Sequence, residues 1–163
     1  MRLFFLSIFV VSNFLFSQSH NLKTYSSSIN QNDLKKLLKV YSSDYFEGRF
    51  TGTIGEKRAL NFLRDFYKSK DIKPAKGTNN YFQNFTLSPS SNRKGSTRLK
   101  LDPNGNIKSN NLIAIIEGNE KPEEYVVISA HLDHMGKIGD EIYNGADDNG
   151  SGTVAILEIA EAF

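Results

Sequence analysis

Two short stretches carry the residues able to do chemistry: His131-Leu132-Asp133-His134, and Gly145-Ala146-Asp147-Asp148-Asn149-Gly150. A neutral imidazole nitrogen is a good donor to a borderline-soft cation such as zinc. The other ring nitrogen then needs an acceptor, and a nearby carboxylate fixes the tautomer and raises ligand basicity. Asp133, two residues beyond His131, would share its face just past the end of a strand, which suits it to that role. If residues 135–144 fold back, Asp147 or Asp148 comes near His131. A carboxylate has two oxygens and can bridge two cations, which an imidazole cannot. Each stretch also has a plainer reading on its own. HxD in a surface loop is a solvated histidine beside an acid, and DDNG is a turn or a calcium loop, because acid-rich glycine loops also suit hard cations.

The elements that must position these residues are legible on either side. Residues 126–130 (VVISA) form an apolar, β-branched run without a helical stripe. That pattern predicts a strand buried on both faces of a parallel or mixed sheet. Ligand groups at the carboxyl ends of strands are the usual arrangement in open α/β folds. Residues 153–163 read as a helix, with Val154, Ile156, Leu157, Ile159, Ala160 and Phe163 spread round much of its circumference. Upstream, Leu34, Leu37, Leu38 and Tyr41 at i, i+3, i+4, i+7 spacing predict a short amphipathic helix. A glycine-punctuated loop follows over 43–52. Thr53 and Glu56 then form a capping box for a helix ending near Lys70, its core face carrying Ala59, Leu60, Leu63, Phe66 and Tyr67. Strands are expected over 80–87 and 111–116, with a turn at Asp102-Pro103-Asn104-Gly105 between them and a polar connection over 117–124. The order helix, helix, strand, strand, strand, metal loop, helix describes an α/β layered domain.

HLDHMG followed by IYNGADDNGSG resembles the N-terminal part of the two-zinc (co-catalytic) metallopeptidase family of bacterial leucyl aminopeptidases and aminopeptidase Y. Glu47-Gly48-Arg49, then TGT, a helix and the Lys73-Pro74 turn, extend the likeness over roughly 42–162. The resemblance implies a three-layer α/β/α zinc-peptidase-like domain around a mixed sheet. It implies two zinc ions, with His131 a ligand of one, Asp133 the catalytic-site acid that orients it, and Asp148 the carboxylate bridging both. It also implies a cis Asp148–Asn149 bond. Asp147 falls on a variable family position, and His134 is read as a solvated or loop-bracing histidine. Glu47 and Arg49 are read as a structural ion pair or loop brace in preference to substrate-side groups. The implied reaction is hydrolysis of N-terminal residues from peptides or proteins by metal-activated water.

In the resembled family a Glu-Glu pair, another acid and a distal histidine follow the helix. Here none follows, and Glu158 and Glu161 are expected on its solvent face. The chain is therefore expected to be the N-terminal part of a zinc-peptidase domain, C-terminally incomplete and inactive alone. A non-catalytic, receptor-like member of the same fold, a one-zinc glutaminyl-cyclase-like enzyme and a calcium-stabilised binding domain are the other readings.

Composition narrows the setting. With no cysteine there are no disulfides, no thiol catalysis and no Cys-type zinc site. A net charge of +2 gives no reason to expect nucleic acid or an anionic membrane as partner. Met1-Arg2 precedes an apolar run over 3–16 that is too short to span a bilayer, with small residues Ser17 and Ser19 after it. This reads as a signal peptide over 1–19, which implies export to the periplasm or medium and no stable membrane anchor. Residues 20–32 read as a polar tether, 33–163 as the peptidase-like domain, and 88–100 as a basic, Ser-rich surface loop.

Overall fold

The computed structural model describes residues 22–88 and 101–163. The expected signal segment and all but the first residue of the basic loop lie outside them. The element order is α1 (Leu22–Ser28), α2 (Gln31–Tyr41), a 3-10 turn (Asp44–Arg49), α3 (Ile54–Ser69), β1 (Lys73–Pro74), β2 (Phe82–Leu87), β3 (Ile107–Leu112), β4 (Ala114–Ile115), β5 (Gly136–Ile138), β6 (Glu141–Tyr143), a wide turn (Ala146–Gly150) and α4 (Ser151–Ala162). The chain is an α/β domain, as expected. Its strands, however, pair in three two-stranded antiparallel ladders among the described residues, β1–β4, β2–β3 and β5–β6, in place of one mixed sheet.

Local chemistry explains the helices. The Asn30 side chain caps α2 by accepting from the N–H groups of Asn32 and Asp33 (both 3.0 Å). Thr53 caps α3 by accepting from Glu56 N–H. Glu56 reaches back as a capping-box residue does, but its Oε2 takes the Gly52 N–H (2.7 Å), because Thr53 N–H is already bonded to the Phe50 carbonyl (3.0 Å). Its Oε1 accepts from the Ser109 hydroxyl, which ties α3 to β3. The expected tether includes a helix, α1, whose described side chains are exposed and which lies against α4.

The core sits between α2, α3 and α4. Tyr41, Phe46, Ala59, Leu63, Tyr67, Val154 and Leu157 are buried there. Tyr41, Phe46 and Phe62 form an aromatic triangle with centroids 5.5–5.9 Å apart, tilted or edge-on as ring quadrupoles favour. Residues 107–115 form one continuous edge that changes partner at Ile113. β3 pairs with β2 from Phe82↔Leu112 to Leu87↔Ile107, whereas β4 pairs with β1 through Pro74↔Ala114 and Lys73↔Ile115.

Two expectations need correcting. Residues 126–130 are in no strand, and Val126 and Val127 are 92% and 84% exposed. β-Branched residues favour a strand only where another strand accepts their hydrogen bonds and a packed face covers them. Among the described residues every strand is paired within its own ladder, and none lies beside this run. Glu158 is not on a solvent face but is 5% exposed, accepting a backbone hydrogen bond from Asn30 where α4 meets the start of α2. Glu161 is the solvent-side acid, paired with Lys70. No helix among the described residues is long and apolar enough to cross a membrane.

Burial raises the pKa of Glu56 above the usual glutamate value, with its hydrogen bonds to Ser109 and Gly52 opposing the shift. A carboxyl whose folded pKa is raised contributes stability that is present below its unfolded pKa and is lost as pH rises through the folded one. Glu56→Gln keeps an acceptor for Gly52 and a polar group for Ser109 but cannot ionise. Urea melts at a series of pH values should show a smaller loss of stability above pH ~4.5 in the variant than in the wild type. Identical slopes would mean that Glu56 is not the group responsible.

Candidate metal centre

Although 126–130 is unpaired, the two chemical stretches meet. His131 Nε2 lies 3.1 Å from Asp148 Oδ1, and His134 Nδ1 lies 3.4 Å from Asp148 Oδ2, so each carboxylate oxygen faces a different histidine. The opposite face of the His131 ring turns to Asp133. There Nδ1 is 3.0 Å from the Asp133 main-chain carbonyl and 3.6 Å from its Oδ1. The nearer acceptor is the carbonyl, not the carboxylate. The carboxylate is held in turn by the Thr51 hydroxyl, which donates to Oδ2 (2.9 Å). Asp147 is exposed, and its carbonyl accepts from Ser151 Oγ (3.1 Å) in the first turn of α4.

The polypeptide between the stretches is a hairpin. Residues 135–144 do fold back, through β5 and β6, with Ile138 opposite Glu141 and a two-residue loop between. Gly139 takes the first loop position at φ 62°, the geometry of a hairpin turn that begins with glycine. Gly145 then enters the wide turn at φ 55°, where a Cβ would meet the Asp148 carbonyl and the His134 ring. Asp148–Asn149 is cis. The Thr153 hydroxyl is within hydrogen-bond distance of the carbonyls of both His131 (3.2 Å) and Asn149 (3.0 Å). The first turn of α4 therefore touches both halves of the site.

This geometry bears on what the site can hold. A main-chain carbonyl has no proton to give, so the Nδ1 contact is favourable only with the proton on Nδ1. That leaves the Nε2 lone pair facing an acidic oxygen. Two acceptors at 3.1 Å are compatible only with a cation between or beside them, a proton or a metal ion. Zinc with bonds of about 2.0–2.2 Å in a tetrahedral shell separates adjacent donor atoms by roughly 3.3–3.5 Å. His131 Nε2 and Asp148 Oδ1 lie within a few tenths of an ångström of that spacing. The pair fits as two ligands of a shell. Among the described residues no group of three or more His, Asp or Glu side chains is arranged to hold a metal.

Arg49 is the residue that the sequence reading undervalued. It is fully buried and makes no ion pair with Glu47, which pairs instead with Arg58 (3.0 Å). Its Nε donates to the Leu132 carbonyl (2.8 Å), Nη1 to those of Tyr41 (3.1 Å) and Asn144 (2.7 Å), and Nη2 to that of Gly145 (2.8 Å). Its guanidinium lies 4.6 Å from the centroid of the Tyr41 ring. Burial lowers its pKa, and the charges of Asp133 and Asp148 oppose that shift. Thr51 was missed too, since a threonine in a loop gives no signal that its partner lies 82 residues away.

A family model described as Peptidase family M28 matches residues 111–163, about a third of the chain, which hold β4, both chemical stretches and α4. M28 is a family of co-catalytic zinc aminopeptidases, in agreement with the resemblance read from the motifs. The match supports a function of the metallopeptidase type. No curated protein and no solved structure matches the chain.

Proposed function

We propose that the chain belongs to an exported, zinc-dependent aminopeptidase in which His131 and Asp148 contribute ligands to one metal centre. The observation that carries this reading is the convergence of Asp148 on the Nε2 side of His131, with Asp133 on the other side of the ring. Zinc, when bound, supplies Lewis acidity that lets water attack a peptide carbonyl at neutral pH. The chain's own residues do the rest. The Asp133 carbonyl keeps the proton on Nδ1 and leaves Nε2 free as a donor. The Asp133 carboxylate, held by Thr51, adds negative charge beside the ring and so favours a cation on its far side. His134, with its side chain only 12% exposed, braces the second oxygen of Asp148. Peptide or protein N-termini are the proposed substrates. Neither nucleic acid nor a membrane anchor has a place in the reading.

No Glu-Glu pair and no histidine follows Asp148 in these 163 residues, so no general base of the resembled kind stands beside the pair. The expected result for this chain is zinc binding without turnover of aminoacyl chromogenic substrates. Calorimetric titration should show zinc bound by the wild type and bound only a few-fold more weakly by Asp133→Asn, because the substitution removes the carboxylate charge beside the ring but keeps the main-chain carbonyl that Nδ1 faces. A chain that ignores zinc would defeat the reading.

A further inference from the structure

We infer that Arg49 is the positioning residue of this site, its guanidinium setting the distance between the His131 segment and the Asp148 turn. The inference deepens the proposed function and rests on its assignment of His131 and Asp148 to one cation.

Two independent features carry it. The first is what the guanidinium holds. Leu132 stands between His131 and Asp133, while Asn144 and Gly145 lead directly into the turn bearing Asp148, and Arg49 donates to the carbonyls of all three. Neither half of the site is secured by a sheet, since residues 126–134 belong to no ladder and 144–150 follow the last strand of the hairpin. A rigid planar fork with fixed donor directions supplies the missing constraint. Its fourth bond, to the Tyr41 carbonyl, anchors the whole to the end of α2. The Tyr41 hydroxyl reinforces the same point by donating to the Leu132 carbonyl (3.3 Å). Arg49 has no exposed surface, so it acts on main chain and cannot touch a substrate.

The second feature is the backbone that delivers the side chain. Glu47, Gly48 and Arg49 have φ of 47°, 65° and 53°, three consecutive left-handed residues of which two carry a Cβ. Non-glycine residues rarely adopt this region, and they persist there where the surroundings over-determine them. Here Gly48 lies flat against the hairpin carbonyls of Gly136 and Tyr143. Arg58 clamps the outer side by donating to the Tyr45 carbonyl (2.7 Å) and to Glu47 Oε1 (3.0 Å). An otherwise unfavourable turn is kept, and its product is an inward guanidinium on four carbonyls. A lysine ammonium has three donors at one point and cannot reproduce that fork.

The test compares the wild-type chain with Arg49→Met, Arg49→Lys and Ile107→Ala, the last a truncation of a fully buried β3 residue outside the site. Two readouts are taken under folding conditions: the zinc dissociation constant, and the nuclear Overhauser contact between the His131 ring and the Asp148 β-protons without metal. Arg49→Met should lose the contact and bind zinc at least tenfold more weakly, Arg49→Lys should fall between, and Ile107→Ala should keep both. An Arg49→Met protein that keeps the contact and binds within twofold of wild type overturns the inference, as does equal loss in Ile107→Ala or a wild type without the contact. If Arg49→Met does not fold, Arg49→Lys decides alone, a weakened or lost contact supporting and a contact of wild-type strength overturning. A wild type that shows the contact, loses it in Arg49→Met, but binds no zinc supports positioning by Arg49 and overturns the proposed function.

Discussion

Gly48→Ala should remove most of the stability of the domain. At φ 65° a β-carbon adds the ordinary cost of a left-handed residue, about 1–2 kcal/mol. It would also be driven into the carbonyl oxygens of Tyr143 and Gly136 and the Cα of Gly136, all main-chain atoms with no rotamer to give way. Relief requires the 3-10 turn to part from the β5–β6 hairpin, and with it the Arg49 bonds to Asn144 and Gly145. A total above ~4 kcal/mol is expected, a loss reserved for a few identifiable mechanisms and comparable with the ~5–15 kcal/mol of a whole domain. Gly77→Ala isolates the conformational part, because Gly77 has φ 82° and nothing lies within 4 Å of a Cβ there. It should cost only the left-handed penalty. Denaturant melts of the two variants settle the comparison, and similar midpoints would show that the contact between turn and hairpin matters little.

The second large effect is on metal affinity. His131→Ala removes the ring whose Nε2 faces Asp148, and Asp148→Ala removes the carboxylate that His131 and His134 both face. Either change takes away half of a two-donor set, so zinc binding should weaken by more than about a hundredfold, beyond the ~10–100-fold of an outer-partner loss. Asp147→Ala is the control. It removes an equal charge one residue away, from an exposed side chain, and screening at physiological salt leaves only a small electrostatic effect. Its affinity should stay within about threefold of wild type. Equal losses at Asp147 and Asp148 would indicate a diffuse acidic loop, the calcium-type reading of DDNG.

The helices α2, α3 and α4 were legible because their signals are local, whereas α1 lies in the stretch read as a polar tether. Leu34, Leu37, Leu38 and Tyr41 recur at the helical period, and the Thr53 cap and α4 fall within two residues of their expected places. The pairing of strands was not legible, since it depends on what lies alongside. The β-branched run at 126–130 carried a clear strand signal and is unpaired, whereas Ile107–Leu112, with four polar residues between its ends, is paired with β2 along its whole length. The hairpin does carry a local signal: Gly139-Asp140 between Ile138 and Glu141 is a glycine-first two-residue turn. In the site, HxD and DDNG stood out by residue type and spacing, while the choice of Asp148 over Asp147 came from the family resemblance. The carbonyl of Asp133 as nearest acceptor, and Arg49 as the link, were not, because main-chain acceptors leave no mark in a sequence.

His131 should hold zinc through Nε2 while Nδ1 carries the proton. Nitrogen NMR of the imidazoles during a zinc titration reads both atoms directly. His131 Nε2 should shift into the metal-bound range while Nδ1 stays protonated and nearly unmoved, with the His134 ring responding less. Zinc on Nδ1 of His131, or a response confined to His134, would contradict it.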